Sequence, residues 1–374
     1  MQIRIAYMIK YLSPRFAVIS CVVLIFPLVL AGQGLGKSVA KRAVLNFPDC
    51  NSVGNSFTFA LAGDSRGHYK QVNKDVLGPV MDNIQKQVNS AFTVFVGDLI
   101  HGSYLDSGLV ARAMAQWQDV ISTHYSGAVV TIPGNHDAKT KKSQELYKKF
   151  FGTAVPQNGP EDEKGLTYYF DFKGCRFVML DTNVHGDSGK VRHIDWLEKV
   201  LKSAREQGNN HILVFGHVPA WPVIGGSKEG GEDGEKAGME GTDKFWELLK
   251  TYGVSAYFCG HEHVYARAKV TGVWQVIAGG AGAPLTMMRK DYKDATAAIR
   301  SRTNHPGAKT YNVSLAAADD PHIPSDKASH LFGDSIYNYV MVDVSPAKIR
   351  VRMYGAKQND SPMKFELMDQ FDIR

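Results

Sequence analysis

The sequence predicts an α/β domain built on mixed β-sheets, and three observations carry that prediction. Five apolar runs each stop at a glycine that is followed by polar side chains. They are residues 57–62 before Gly63-Asp64, 92–96 before Gly97-Asp98, 130–132 before Pro133-Gly134-Asn135-His136-Asp137, 211–215 before Gly216-His217, and 254–259 before Gly260-His261-Glu262-His263. Segments with apolar residues at helical spacing separate these runs. Two further runs, 167–172 and 176–180, flank Lys173-Gly174, a hairpin signal that makes at least part of the sheet antiparallel.

Taken in order, residues 1–31 read as a signal peptide. Arg4, Lys10 and Arg15 precede an apolar core over 16–30, and Val29 and Ala31 suit cleavage after Ala31. This reading places the protein outside the cytoplasm, periplasmic or secreted; an uncleaved membrane anchor is the alternative. Residues 31–38 resemble a phosphate-binding loop, but their signal-peptide flanks and the nearby Pro48 argue against a nucleotide site. The formal charge of +6 includes the three basic residues of this segment and none of the 37 acidic ones. Without it the charge is about +3, too small to point to a nucleic-acid polymer as partner. Cys50, Cys175 and Cys259 remain, an odd count that leaves at least one thiol unpaired. A Cys50–Cys175 bond stays open.

Residues 32–55 form a lead-in and 56–374 a single domain. Val72, Val76, Val80, Ile84 and Val88 recur every fourth position and predict a helix over 72–88, closing a βαβ unit with a right-handed crossover. A second helix is expected over 109–124, and a shorter one around Leu146, Phe150 and Phe151. Ile194, Leu197, Val200, Leu201 and Ala204 mark a fourth apolar face, and Phe245, Leu248, Leu249 and Tyr252 a fifth. Strands over 337–343 and 348–353 close the domain. Two stretches lack periodicity: the Gly- and charge-rich 225–241, a surface loop placed to act as a lid, and 287–331, an insertion over the sheet edge.

In open α/β sheets ligands gather beyond the carboxyl ends of the strands, so the five polar clusters read as one site. Asp64, Asp98, Asn135, His217, His261 and His263 offer carboxylate, amide and imidazole donors without thiolate, a set that suits Mn, Zn or Fe. Six donors exceed what one tetrahedral ion needs, which implies two divalent ions. Such a pair lowers the pKa of bridging water to roughly 7 and clamps both oxygens of an in-line displacement, the requirement of phosphate-ester hydrolysis.

The ordered series Gly-Asp, Gly-Asp, Gly-Asn-His-Asp, Gly-His and Gly-His-x-His resembles the signature of the calcineurin-like metallophosphoesterases, which include purple acid phosphatases and phosphodiesterases. The resemblance implies a four-layer α/β/β/α sandwich. It also implies that Asp64 and His263 bind a first ion, that Asp98 bridges, and that Asn135, His217 and His261 bind a second. His136 is then the acid at the leaving oxygen, and Asp137 orients it. Many members carry Asp-x-His in the first motif, where this chain has Arg66, which stays protonated and cannot ligate a metal. His101, three positions after Asp98, is placed to supply the missing ligand or to serve as an ordinary turn residue. Arg66 is then expected to meet the substrate phosphate or to shape its loop through a salt bridge. The implied substrate is a small phosphate mono- or diester. A silent metal- or phosphate-binding protein on the same fold is the alternative, resting on Arg66 alone.

Overall fold

The computed structural model describes residues 46–67, 70–87, 90–184, 187–224, 239–288 and 328–373. The signal-peptide reading, His68 and most of the 225–241 and 287–331 stretches fall outside them. The chain runs β1 (Phe57–Ala62), α1 (Lys74–Lys86), β2 (Ser90–Phe95), α2 (Ser107–His124), β3 (Ala128–Thr131), α3 (Lys141–Tyr147), then the hairpin β4 (Tyr168–Phe172) and β5 (Cys175–Met179). A small ribbon, β6 (Asn183–Val184) and β7 (Asp187–Ser188), leads to α4 (Ile194–Glu206), β8 (His211–Phe215), α5 (Thr242–Thr251) and β9 (Ala256–Cys259). The series ends with β10 (Tyr265–Val270), β11 (Val273–Ala278), β12 (Ala328–Asp334), β13 (Tyr337–Ser345), β14 (Lys348–Ala356) and β15 (Glu366–Ile373).

Two mixed sheets result, ordered β15-β14-β13-β1-β2-β3 and β12-β10-β11-β9-β8-β5-β4. Each has a parallel block: β1, β2 and β3 at one side of the first sheet, and β5, β8, β9 and β11 in the second. Parallel strands need both faces covered, so they read as continuous apolar runs with an alternating division of labour. Phe57, Phe59 and Leu61 of β1 and Phe92 and Val94 of β2 face the second sheet, where Phe177, Phe215 and Phe258 meet them. The Phe59 and Phe177 rings lie edge to face, 5.4 Å apart. Burying each such ring stabilises the fold by roughly 1.5–3 kcal/mol before ordering entropy is subtracted.

On the far side of the first sheet, Ala60, Ala62 and Phe95 pack against Val80 and Ile84 of α1 and Trp117 of α2. Outside the second sheet, Val178, Val214 and Tyr257 meet Leu197 and Leu201 of α4 and Phe245 and Trp246 of α5. The order of layers is therefore helix, sheet, sheet, helix, as the family resemblance implies.

Several elements differ from the sequence reading. Helix α1 starts at Lys74, and Val72 instead forms a bridge with Arg66. The shorter third helix begins at Lys141 and ends in a π-turn over Lys148–Gly152. Strand β12 was not expected: it covers Ala328–Asp334, across the end of the stretch read as insertion and ahead of the strand expected from 337. Strands β10 and β15 were not anticipated, and their shared buried pair is the reason. Arg267 Nε and Nη2 donate to Asp369 at 2.6 and 3.0 Å, and Tyr265 Oη donates to the same carboxylate at 2.7 Å. Both charges sit in the core, with the guanidinium 4.8 Å from the Phe371 ring. Cys50, Cys175 and Cys259 are all free thiols.

Candidate metal centre

The parallel strands deliver the five polar turns to one end of both sheets, where backbone hydrogen bonds knit the turns together. Asp64 N–H donates to Gly97 O at 3.0 Å, Arg66 N–H to Asp98 O at 3.1 Å, and Gly260 N–H to His217 O at 3.0 Å. Gly134 passes so close to Asp98 that a Cβ would overlap the carboxylate and its backbone nitrogen, which is why the third turn needs glycine. Asp64, Asp98 and His261 have φ of 60, 52 and 69°, a left-handed conformation that costs non-glycine residues of order 1–3 kcal/mol each. Hydrogen bonds hold them there: Asp98 Oδ1 accepts the His136 N–H at 3.0 Å, and Asp64 Oδ2 accepts the His261 N–H at 3.0 Å.

Single ligand atoms of Asp64, Asp98 and His217 all lie within 4.8 Å of one another, and all three residues are buried. His217 Nδ1 donates to the Val96 carbonyl at 2.7 Å, so Nε2 of the neutral ring carries the lone pair. Burial keeps that ring neutral by lowering its pKa. Yet Nε2 faces acceptors, Asn135 Oδ1 at 2.9 Å and Asp98 Oδ1 at 3.3 Å. Asn135 Oδ1 also lies 3.1 Å from His261 Nδ1. The amide keeps this orientation although its buried Nδ2 has no hydrogen-bond partner among the described residues. The imidazole, amide and carboxylate atoms that converge here are donors of the kind that hold a divalent cation. The carboxylates agree: burial and the Asp98 charge push Asp64 well above its ordinary range. Burial raises Asp98 too, but positive charge around it, from His217 and His136 when protonated and from the Arg66 guanidinium, outweighs that and holds the carboxyl well below the usual range. Two buried carboxylates this close do not both keep a charge unless positive charge joins them.

Of the second position of the sequence reading, Asp98 and His217 cluster with Asp64, which was expected at the first, while Asn135 Oδ1 stands between His217 Nε2 and His261 Nδ1. At the expected first position, Arg66 stands beside His263. His263 Nδ1 donates to the Pro284 carbonyl at 2.7 Å, leaving Nε2 as acceptor, and that atom is 3.8 Å from Asp64 Oδ1. Arg66 Nη2 lies 3.4 Å from it, and Arg66 Nε is 3.3 Å from Asp98 Oδ2. His101 turns Nδ1 toward Arg66 Nη1, at 3.4 Å. The guanidinium thus takes the salt-bridge role, facing inward.

His136 and Asp137 divide their work differently from the expectation. His136 Nδ1 donates to the His101 carbonyl at 2.8 Å, and Nε2 stands 4.0 Å from Asp98 Oδ2. The His101 carbonyl therefore sets that ring. Asp137 accepts only backbone N–H groups, from Leu99 at 3.0 Å, Ile100 at 3.2 Å and Gly134 at 2.8 Å. It pins the turn after β2 to the turn after β3. Burial and the Asp98 charge raise its pKa to about 8, against the pull of those three donors.

Sequence reasoning missed several supports. Thr182 Oγ1 accepts the N–H groups of His217 and Val218, both at 3.1 Å. Glu262, fully buried between the two motif histidines, accepts the Val223 N–H at 2.8 Å and so anchors the root of the 225–241 stretch. An acid inside a His-x-His motif was a visible signal. The carbonyls of Val96, Pro284 and His101 left none.

Residues 57–265, more than half of the chain, match the family of calcineurin-like phosphoesterases. The chain belongs to that family. Among individual phosphoesterases, it is 39% identical to tartrate-resistant acid phosphatase type 5 of Homo sapiens over 70 residues, 19% of this chain and 18% of the relative. It is 28% identical to the serine/threonine-protein phosphatase CPPED1 of Bos taurus over 205 residues, 52% of this chain and 60% of the relative. The matched parts thus span less than two thirds of these relatives. Purple acid phosphatase PPD1 from yellow lupin (Lupinus luteus) superposes with a TM-score of 0.58 at 16% identity, covering 86% of this chain and 54% of that one. PhoD superposes with a TM-score of 0.57 at 11% identity, covering 87% of this chain and 71% of that one. At these identities the likeness is one of fold, and both solved structures share the sandwich of this calcineurin-like phosphoesterase.

Proposed function

We propose that the protein is an exported, metal-dependent phosphoesterase acting on small phosphate mono- or diesters by in-line displacement. The observation that carries this reading is the convergence of Asp64, Asp98 and His217 ligand atoms within 4.8 Å of one another in a buried space, with Asn135 Oδ1 beside them. A divalent ion bound there supplies Lewis-acid activation of water and neutralises charge on the phosphoryl oxygens. Mn, Zn or Fe suits these donors. The sequence reading called for two such ions.

The chain's own residues supply positioning. The Val96 carbonyl fixes His217, and Thr182 holds the turn that carries it. His136, its Nδ1 committed to the His101 carbonyl, turns Nε2 into the same space and serves the leaving oxygen as acid or hydrogen-bond donor. Arg66 brings a fixed positive charge beside Asp98, where negative charge on the phosphoryl group develops. Export rests on the N-terminal sequence pattern; among the described residues no helix is long and apolar enough to cross a membrane. The small net charge left after the N-terminal segment favours a small ester over a nucleic-acid polymer.

The test is hydrolysis of p-nitrophenyl phosphate and bis-p-nitrophenyl phosphate by chelator-stripped protein reloaded with Mn or Zn. Turnover of either compound that returns with metal and is lost in Asp98→Ala supports the reading. Folded, metal-loaded protein that hydrolyses neither would refute it in favour of the silent binding protein.

A further inference from the structure

Arg66 is the one departure from the family motif in this site, and its geometry goes beyond loop shaping. Its side chain is buried and spreads three nitrogens over three separate partners. Nε faces Asp98 Oδ2 at 3.3 Å, Nη2 faces His263 Nε2 at 3.4 Å, and Nη1 faces His101 Nδ1 at 3.4 Å. These are the bridging carboxylate, the first-ion histidine and the residue placed to replace the missing ligand. The root of the side chain is fixed, because Arg66 N–H donates to Asp98 O and the residue bridges to Val72.

We propose that Arg66 is a built-in cation standing in the first metal position, so that the centre takes up one divalent ion per chain. The inference rests on the proposed function and sharpens it. His263 has a single lone pair to give at Nε2, because Nδ1–H is committed to the Pro284 carbonyl. A guanidinium N–H and a metal ion cannot both use that lone pair. Charge points the same way. Two carboxylates, Asp64 and Asp98, face the guanidinium and one ion with a modest excess of positive charge. A second divalent ion beside a guanidinium that never deprotonates would leave a large unbalanced charge in a buried space. Asp64, freed from the first position, still lies within reach of the ion shared by Asp98 and His217. Arg66 then contributes charge without a ligand-exchange site, so water is activated at one ion only.

The experiment is metal content and electron paramagnetic resonance of the full chain equilibrated with excess Mn and freed of unbound ion. The expected result is one Mn per chain with the hyperfine pattern of an isolated ion, falling to none in His217→Ala. Arg66→His, which restores the family's imidazole, is expected to double the uptake and to give an exchange-coupled spectrum. Two ions or a coupled spectrum in the unsubstituted chain overturns the inference while leaving the proposed function intact. Uptake that stays at one ion in folded Arg66→His also overturns it, since something other than Arg66 then bars the second ion. No uptake at all in the unsubstituted chain removes the metal reading itself and the inference with it.

Discussion

Replacing Asp137 with alanine removes one carboxylate and leaves three buried amides, those of Leu99, Ile100 and Gly134, without their acceptor. Each unsatisfied buried donor costs about 1–3 kcal/mol, and the turns relax in part, so the expected loss is about 3–5 kcal/mol. For a folded unit of roughly 330 residues, an unfolding entropy of about 2.1 cal/mol/K per residue gives roughly 0.7 kcal/mol per degree. The melting temperature is therefore expected to fall by about 4–7 °C. Asp137→Asn keeps one oxygen for Leu99 and Ile100 but turns an amide group toward the Gly134 N–H, and is expected to lose about half as much. Because Asp137 ties the Asp98 turn to the Asn135 turn, ligands from two strands drift apart together. A displacement of about 1 Å at a reacting centre costs on the order of 10²-fold in rate, so kcat falls with stability. Differential scanning fluorimetry and p-nitrophenyl phosphate kinetics read both effects. An alanine variant that melts within 1 °C of the parent (about 0.7 kcal/mol) and turns over at the parent's rate would show that Asp137 holds neither turn.

Four further outcomes are expected. Asp98→Asn keeps the shape of the side chain but removes the charge all the neighbouring cations address, and lowers kcat by about 10³-fold or more with the fold intact by circular dichroism. Gly134→Ala drives a Cβ into Asp98 and abolishes Mn binding, measured by calorimetry. Asp369→Ala takes the carboxylate from the buried Arg267 guanidinium and the Tyr265 hydroxyl at a cost of about 3–5 kcal/mol, read as a lower melting temperature. Iron-loaded protein shows no visible tyrosinate-to-iron charge-transfer band, because Arg66 and His101 occupy the surroundings of Asp98 that a ligand tyrosine would need.

The central strands and their polar ends were legible because parallel strands buried on both faces leave unbroken apolar runs, and glycine marks each exit. Residues 57–62 and 211–215 correspond closely to β1 and β8 for that reason. Strands β10 and β15 were illegible because Arg267 and Asp369, which occupy core positions there, score as surface residues in isolation. Their partners lie 102 positions apart, a pairing that no local window contains. In the site, ligand types were legible from chemistry, but aim was not. Asp137 was assigned to His136 because carboxylates commonly orient imidazoles, whereas backbone amides in two turns took it and a backbone carbonyl took the ring. For Arg66 the sequence left substrate contact and a salt bridge both open; the fold aims it at Asp98, His101 and His263.

The most direct measurement is an anomalous difference map from a crystal of the full chain soaked in Mn. A peak bonded to Asp98 Oδ1, Asn135 Oδ1 and His217 Nε2 is the predicted result. An ordered site with no anomalous density between those atoms, or with Mn bound only elsewhere on the chain, would contradict the account.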